Sequence, residues 1–231
     1  MIKAAQLKKK YGALKKKNVA SALRKVIGRV SGKNRLLRSD LERAGRFALR
    51  KFKGKFRQDK KTPLLLHSIF LLEILRLFGE KDPATFIAAL LHDTIEDTGT
   101  KRQEIRSMRF ESTKKKILPL VLKLTQDRKV SDELPKKGAI SPRIRKFIKN
   151  LTGAPKEVIN IELADRIHDF LDIGYLKTLE PEKARLRLAN KIKRNKTIVA
   201  TITRRRGDIN RSLLRFFKLI EREIKSELKR L

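Results

Sequence analysis

Apolar side chains recur every three to four residues along nearly the whole chain, and no stretch alternates as a strand would. That period predicts helices over about 40–54, 63–78, 83–97, 112–126, 142–151, 156–172, 181–204 and 208–230. Thr62-Pro63, Asp82-Pro83 and Ser141-Pro142 each read as a polar N-cap followed by proline at the first helical position, where the missing N–H costs nothing. Gly79 and Gly99 fall where helices should stop. Residues 127–141, DRKVSDELPKKGAIS, form the best internal loop, and no internal repeat is present. The expected architecture is an all-α helical bundle over residues 40–204. A basic arm or helix over 1–39 precedes it and a charged helical tail over 205–231 follows. In the first segment Leu14, Val19, Leu23, Val26, Ile27 and Val30 suit an amphipathic helix. In the tail Leu213, Phe216, Phe217 and Ile220 supply an apolar stripe that could pack on the bundle or pair with another subunit.

Charge changes this picture more than composition does. Sixty basic residues stand against 25 acidic ones, a formal net charge of +35. Such a surface attracts polyanions: nucleic acid, anionic lipid or a phosphate-rich small molecule. With aromatics at 6% and no recognition motif, a surface that only repels its own copies is an equal reading. Residues 1–39 hold no acid, with KKK at 8–10 and 15–17. Being rich in Lys more than in Arg or Ser, they fit an attached basic helix better than a cleaved transit peptide. The absence of cysteine excludes disulfides and thiolate metal sites and fits a reducing, cytoplasmic setting. No apolar run approaches the ~18 residues of a membrane span.

Against this basic background, AALLHDTIEDT (88–98) crowds three carboxylates and one of only three histidines into six positions without a lysine or arginine. On a continuous helix His92, Asp93, Glu96 and Asp97 share one face, while Leu91 and Ile95 point toward packing. Asp93 and Asp97 would be a like-charge i, i+4 pair, which a bound cation relieves most simply.

Two other stretches supply further ligands. His67 lies in TPLLLHSIFLLEIL, otherwise almost wholly apolar. In INIELADRIHDF (159–170), Asp165 sits among Ile161, Leu163 and Ala164, with Asp169 one turn on and Glu162–Arg166 spaced as a helix salt bridge. A carboxylate in apolar surroundings is costly unless paired or coordinated. His67, His92, Asp93 and Asp165 would form a mixed nitrogen and oxygen set with room for water, suiting manganese, iron or zinc.

The order H…HD…D on helices resembles the HD phosphohydrolase superfamily, and in detail the hydrolase domain of the RelA/SpoT family and its stand-alone small alarmone hydrolases. The resemblance runs over roughly 41–200, through LERAGRFALRKFKGKFRQDKKTPLLLHS (41–68), FIAALLHDTIEDT (86–98), VLKLTQD (121–127) and VINIELADRIHDFLDIGYL (158–176). It implies that His67, His92, Asp93 and Asp165 bind one divalent metal, usually manganese in that family. It further implies that Glu96 and Asp97 orient and polarise the attacking water, and that Arg57 holds the guanine base. The implied reaction removes the 3′-pyrophosphate from guanosine tetra- or pentaphosphate. The chain departs from the family pattern at Asp169, where an asparagine is usual beside the substrate, and at Leu64, Ser68, Phe52 and Lys55. His168 reads as a neighbouring structural residue. The alternatives are an HD hydrolase acting on another nucleotide or phosphate ester, or a basic nucleic-acid-binding protein on an HD scaffold. No synthetase domain fits after residue 200, so the resemblance implies degradation of the nucleotide, not its synthesis.

Overall fold

The computed structural model describes residues 4–16, 18–127, 140–174, 176, 179–203 and 209–230, and the fold is all-α. Among the described residues there is no strand beyond one isolated bridge, Phe56 to Pro63. No helix among them is long and apolar enough to cross a membrane. Two compact units, residues 1–125 and 126–231, divide the chain.

The first unit comprises α1 (Ala4–Lys15), α2 (Val19–Ser31), α3 (Arg35–Lys51), α4 (Leu65–Leu77), α5 (Pro83–Leu91), α6 (Thr94–Thr98), α7 (Arg102–Arg106) and α8 (Ile117–Leu124). Every residue of α4 from Leu65 to Leu75 is buried, as expected for a helix apolar on all sides. Helices α1, α2 and α5 pack on it, α3 lies against α2 and α5, and α8 lies against α5 and α7. The basic N-terminal segment is therefore folded: Leu7, Tyr11, Leu14, Leu23, Val26 and Ile27 are all buried. Glu73 of α4 fixes this arrangement electrostatically, taking Arg29 at 3.2 Å, Arg76 at 3.0 Å and Lys10 at 3.7 Å.

The second unit comprises α9 (Pro142–Leu151), α10 (Lys156–Leu171), α11 (Pro181–Ile202) and α12 (Arg211–Arg230). Helix α10 packs on α11 and α12, and α11 also contacts α9 and α12. The apolar stripe of the tail is used within its own unit. Leu213, Phe216, Phe217 and Ile220 are buried, and Phe217 stacks on Phe170 of α10 at 5.5 Å.

Side-chain caps explain several helix starts. Asn18, Asn34 and Asp82 accept hydrogen bonds from Ala20, Leu37 and Ala84 N–H, and Ser141 from Ile144 N–H. Gly79 and Gly99 take left-handed φ of 82° and 69°, as stop positions require.

Three expected boundaries are corrected. Thr62 does not cap the fourth helix. Its hydroxyl donates to Asp59 at 2.5 Å and its carbonyl accepts from Arg57 N–H, so the chain turns there and the helix begins at Leu65. The expected 112–126 helix is only Ile117–Leu124, because the buried Asp40 carboxylate takes Glu111 N–H, Ser112 N–H and the Ser112 hydroxyl at 2.6–2.8 Å and holds that stretch extended toward α3. The expected helix over 83–97 breaks after Leu91. Of the expected loop 127–141, residues 128–139 lie outside the described residues.

Candidate metal centre

The break between α5 and α6 builds the centre. Side chains at i and i+1 of a regular helix diverge by about 100° and cannot aim at one point. Here His92 keeps helical angles, Asp93 moves to φ −90°, ψ −1°, and a new helix starts at Thr94. The buried Thr94 hydroxyl donates to Leu91 O at 2.6 Å and secures the step, and Asp97 N–H closes the first turn beyond it on Asp93 O at 2.8 Å. As a result His92 Nε2 and Asp93 Oδ2 come within 3.0 Å of each other.

His67 reaches the same place from the first turn of α4, where Leu66 and His67 N–H bond back three residues to Pro63 and Leu64. Its Nε2 lies 3.2 Å from His92 Nε2 and 3.6 Å from Asp93 Oδ2. His92 Nδ1 donates to Ala89 O at 2.8 Å, so Nε2 faces the cluster: protonated, it donates to Asp93, and deprotonated, it offers its lone pair to a cation. Both imidazoles are buried, Asp93 partly so. Burial tends to raise the Asp93 carboxyl pKa, but the charge and hydrogen bond of His92, then the charges of His67 and Arg57, outweigh it. Asp93 is thus held well below the usual carboxylate range. Two buried imidazole nitrogens and one partly buried, ionised carboxylate oxygen that converge are a donor set that fits a borderline divalent cation.

The remaining expected residues fall in definite places. Glu96 and Asp97 lie half-buried on α6, just past the ligand step. Arg57 stands in the loop before α4, close enough for its charge to act on Asp93. That loop is tied by Asp59, which accepts Lys61 N–H, Thr62 N–H and the Thr62 hydroxyl. Asp165 and Asp169 belong to the second unit, one turn apart on α10, with Arg166 paired to both carboxylates and to Glu162 at 3.0 Å. Asp169 also takes Arg194 and, at 3.4 Å, Lys191 from α11. His168 is fully buried in the same helix. Thr94, Asp59 and the pair Lys191 and Arg194 carry no signal at the sequence level: each acts through a fold contact, not through a motif spacing.

The HD-domain family matches residues 44–208, more than half of the chain. This chain belongs to the HD-domain family. The match spans the loop of Arg57, both unit-one histidines and the α10 carboxylates. The HD domain here is 34% identical over 143 residues to a GTP pyrophosphokinase of Streptomyces coelicolor, covering 62% of this chain and 16% of that protein. It is 37% identical over 108 residues to the GTP pyrophosphokinase rsh of Brucella ovis, covering 47% of this chain and 13% of that protein. The chain thus spans about a sixth or less of the length of these curated relatives. In fold it is similar to a metazoan ortholog of SpoT described as hydrolysing ppGpp, with a TM-score of 0.59 and 21% identity, over 82% of this chain and 95% of that one.

Proposed function

We propose that this HD-domain protein is a divalent-metal-dependent phosphohydrolase that removes the 3′-pyrophosphate from guanosine 3′,5′-bis(diphosphate). The observation that carries the reading is the convergence of His67 Nε2, His92 Nε2 and Asp93 Oδ2 within 3.0–3.6 Å of one another in a chain of this family. Asp165 is proposed as the fourth ligand, and manganese as the ion. A divalent ion held there supplies charge against the phosphate and lowers the pKa of bound water. The residues of the chain do the rest. Glu96 and Asp97 accept the proton of the attacking water and set its direction toward phosphorus. Arg57 holds the base, its loop stiffened by Asp59. The low pKa of Asp93 keeps it anionic throughout the working pH range. Asp169 stands at the substrate's edge in this reading, paired with Arg166, Lys191 and Arg194.

The similarity to a ppGpp-hydrolysing SpoT ortholog and to proteins named GTP pyrophosphokinase supports guanosine polyphosphate as the substrate class. The test is release of pyrophosphate from guanosine 3′,5′-bis(diphosphate) by the full chain with manganese. The expected result is turnover that chelation abolishes and that falls by about 10²–10⁴ in the Glu96→Ala/Asp97→Ala double variant. Undiminished turnover in the double variant, or none in the metal-loaded wild type, overturns the assignment.

One observation favours a second substrate reading. Asp169 replaces the asparagine of the family pattern and is surrounded by Arg166, Lys191 and Arg194, a different environment for a nucleotide. Hydrolysis of another nucleotide or phosphate ester at the same metal centre is the outcome if a panel of deoxynucleotides, cyclic nucleotides and phosphorylated cofactors is turned over faster than the bis(diphosphate).

A further inference from the structure

We propose that the outer faces of α1 and α2 form a docking surface for the phosphate backbone of duplex nucleic acid. Residues 1–39 contain no carboxylate. Both helices turn their apolar residues inward on α4, so their cations are presented on folded, packed elements. Lys9 of α1 and Arg24 and Lys25 of α2 are exposed, as are Lys16, Lys33 and Arg35 just beyond the ends of these helices. Elsewhere in the first unit surface cations meet acids: Lys51 with Glu104, Lys115 with Asp82, Arg43 with Glu111. On α1 and α2, Lys10 and Arg29 meet an acid, Glu73 of α4; the outward cations have no acid at i+3 or i+4 to relieve their like-charge repulsion, and a polyanion supplies that relief from outside.

The geometry selects among polyanions. At ~1.5 Å per residue, α1 and α2 are each about 18–20 Å long. A duplex carries one charge per ~1.7 Å of axis, so that length faces about ten phosphates. Single strands are held by stacking on exposed aromatic rings. The first 46 residues contain one aromatic, Tyr11, which is buried against Phe70 at 4.9 Å. A membrane-bound amphipathic helix needs an outward apolar face. Here Leu7, Leu14, Leu23, Val26 and Ile27 are each less than 5% exposed, and the outer face is left to cations. What remains is sequence-independent contact with a duplex backbone, RNA or DNA.

The test is fluorescence anisotropy of labelled 24-base-pair RNA and DNA duplexes of arbitrary sequence with the full chain, from 50 to 300 mM salt. The reversal variant Lys9→Glu/Lys16→Glu/Arg24→Glu/Lys25→Glu and its milder glutamine counterpart are measured beside the wild type. Their folding is checked by thermal melting. Duplex binding should weaken at least tenfold in the reversal variant and by less in the glutamine variant. The slope of log K against log salt should shrink by about three to four, roughly 0.9 per lost phosphate contact. His92→Ala should bind as wild type does, which separates this surface from the metal centre. Whichever duplex binds more tightly identifies the source. Equal binding by folded reversal and wild-type proteins overturns the proposal, as does preference for a single strand or for phosphatidylglycerol vesicles.

Discussion

Two imidazole nitrogens 3.2 Å apart are stable neighbours only if one donates a proton to the other or both face a cation. His92 spends its Nδ1 proton on the Ala89 carbonyl, so in its neutral form its Nε2 can only accept. The adjacent ionised Asp93 favours positive charge at the same point. Asp93→Asn keeps the shape and removes that charge. It should weaken manganese binding by about 100-fold or more in calorimetric titration while the apo protein melts as before. Unchanged affinity would place the ion away from this carboxylate. Glu73 tests a different buried carboxylate. Burial would raise its pKa, but the hydrogen bond from Arg76 and the charges of Arg29, Arg76 and Lys10 lower it below the ordinary 4.5. Its folded pKa being the lower one, its contribution is complete above the unfolded value near 4.5 and is lost as pH falls through the folded value. Glu73→Gln should therefore cost about 2–3 kcal/mol at pH 7 and flatten the loss of stability below pH 4.5. Denaturant melts at pH 7 and pH 3 check it, and equal destabilisation at both refutes a charge-based role.

At the scale of elements, α2 and α3 approach closely at Gly45, where an added Cβ would lie 2.7 Å from Leu23 Cδ2, 3.4 Å from its Cγ and 3.5 Å from Ile27 Cδ1. Alanine gains about 1 kcal/mol of helix propensity there, but overpacking a buried leucine costs about 1–3 kcal/mol. Gly45→Ala should be a net destabilisation of about 1 kcal/mol in denaturant melts, and should cost less when introduced into a Leu23→Ala background and measured against Leu23→Ala alone. A stabilised Gly45→Ala would show that the helices can separate freely. The same scale shows what sequence reading can reach. Periodicity located α9, α10, α11 and α12 closely because each repeats its apolar face over many turns. It carried His92 and Asp93 into one long helix, because AALLHDTIEDT is periodic through the break and the local Thr94–Leu91 bond that accompanies the step leaves no mark on the period. Thr62-Pro63 looked like a cap because the competing acceptor, Asp59, is a turn residue with no period of its own. His67, His92 and Asp93 were legible as candidate ligands from residue type and scarcity, and the structure brings their side chains together. The cations around Asp169 were not, since Lys191 and Arg194 are two among 60 basic residues until α11 folds beside α10.

For the whole molecule, a net charge of +35 acts on stability and on substrate capture with opposite signs. Self-repulsion among surface cations opposes the folded state, and it weakens as the Debye length shrinks from about 30 Å at 0.01 M salt to about 10 Å at 0.1 M. The ion pair of Glu162 with Arg166 is shielded from that screening by burial, and the buried Glu73 carboxylate is screened less than a surface acid although its cations are partly exposed. Melting temperature should therefore rise with sodium chloride over this range. If the proposed function holds, the same cations draw in the polyanionic nucleotide, and screening should lower kcat/KM for the bis(diphosphate) by up to about tenfold and leave kcat nearly unchanged. Melting curves and initial rates over one salt series measure both responses. A melting temperature that falls with salt means surface ion pairs outweigh repulsion. A salt-independent kcat/KM means the charge does not steer the substrate, and leaves the outer face of α1 and α2 to act on a larger anion alone.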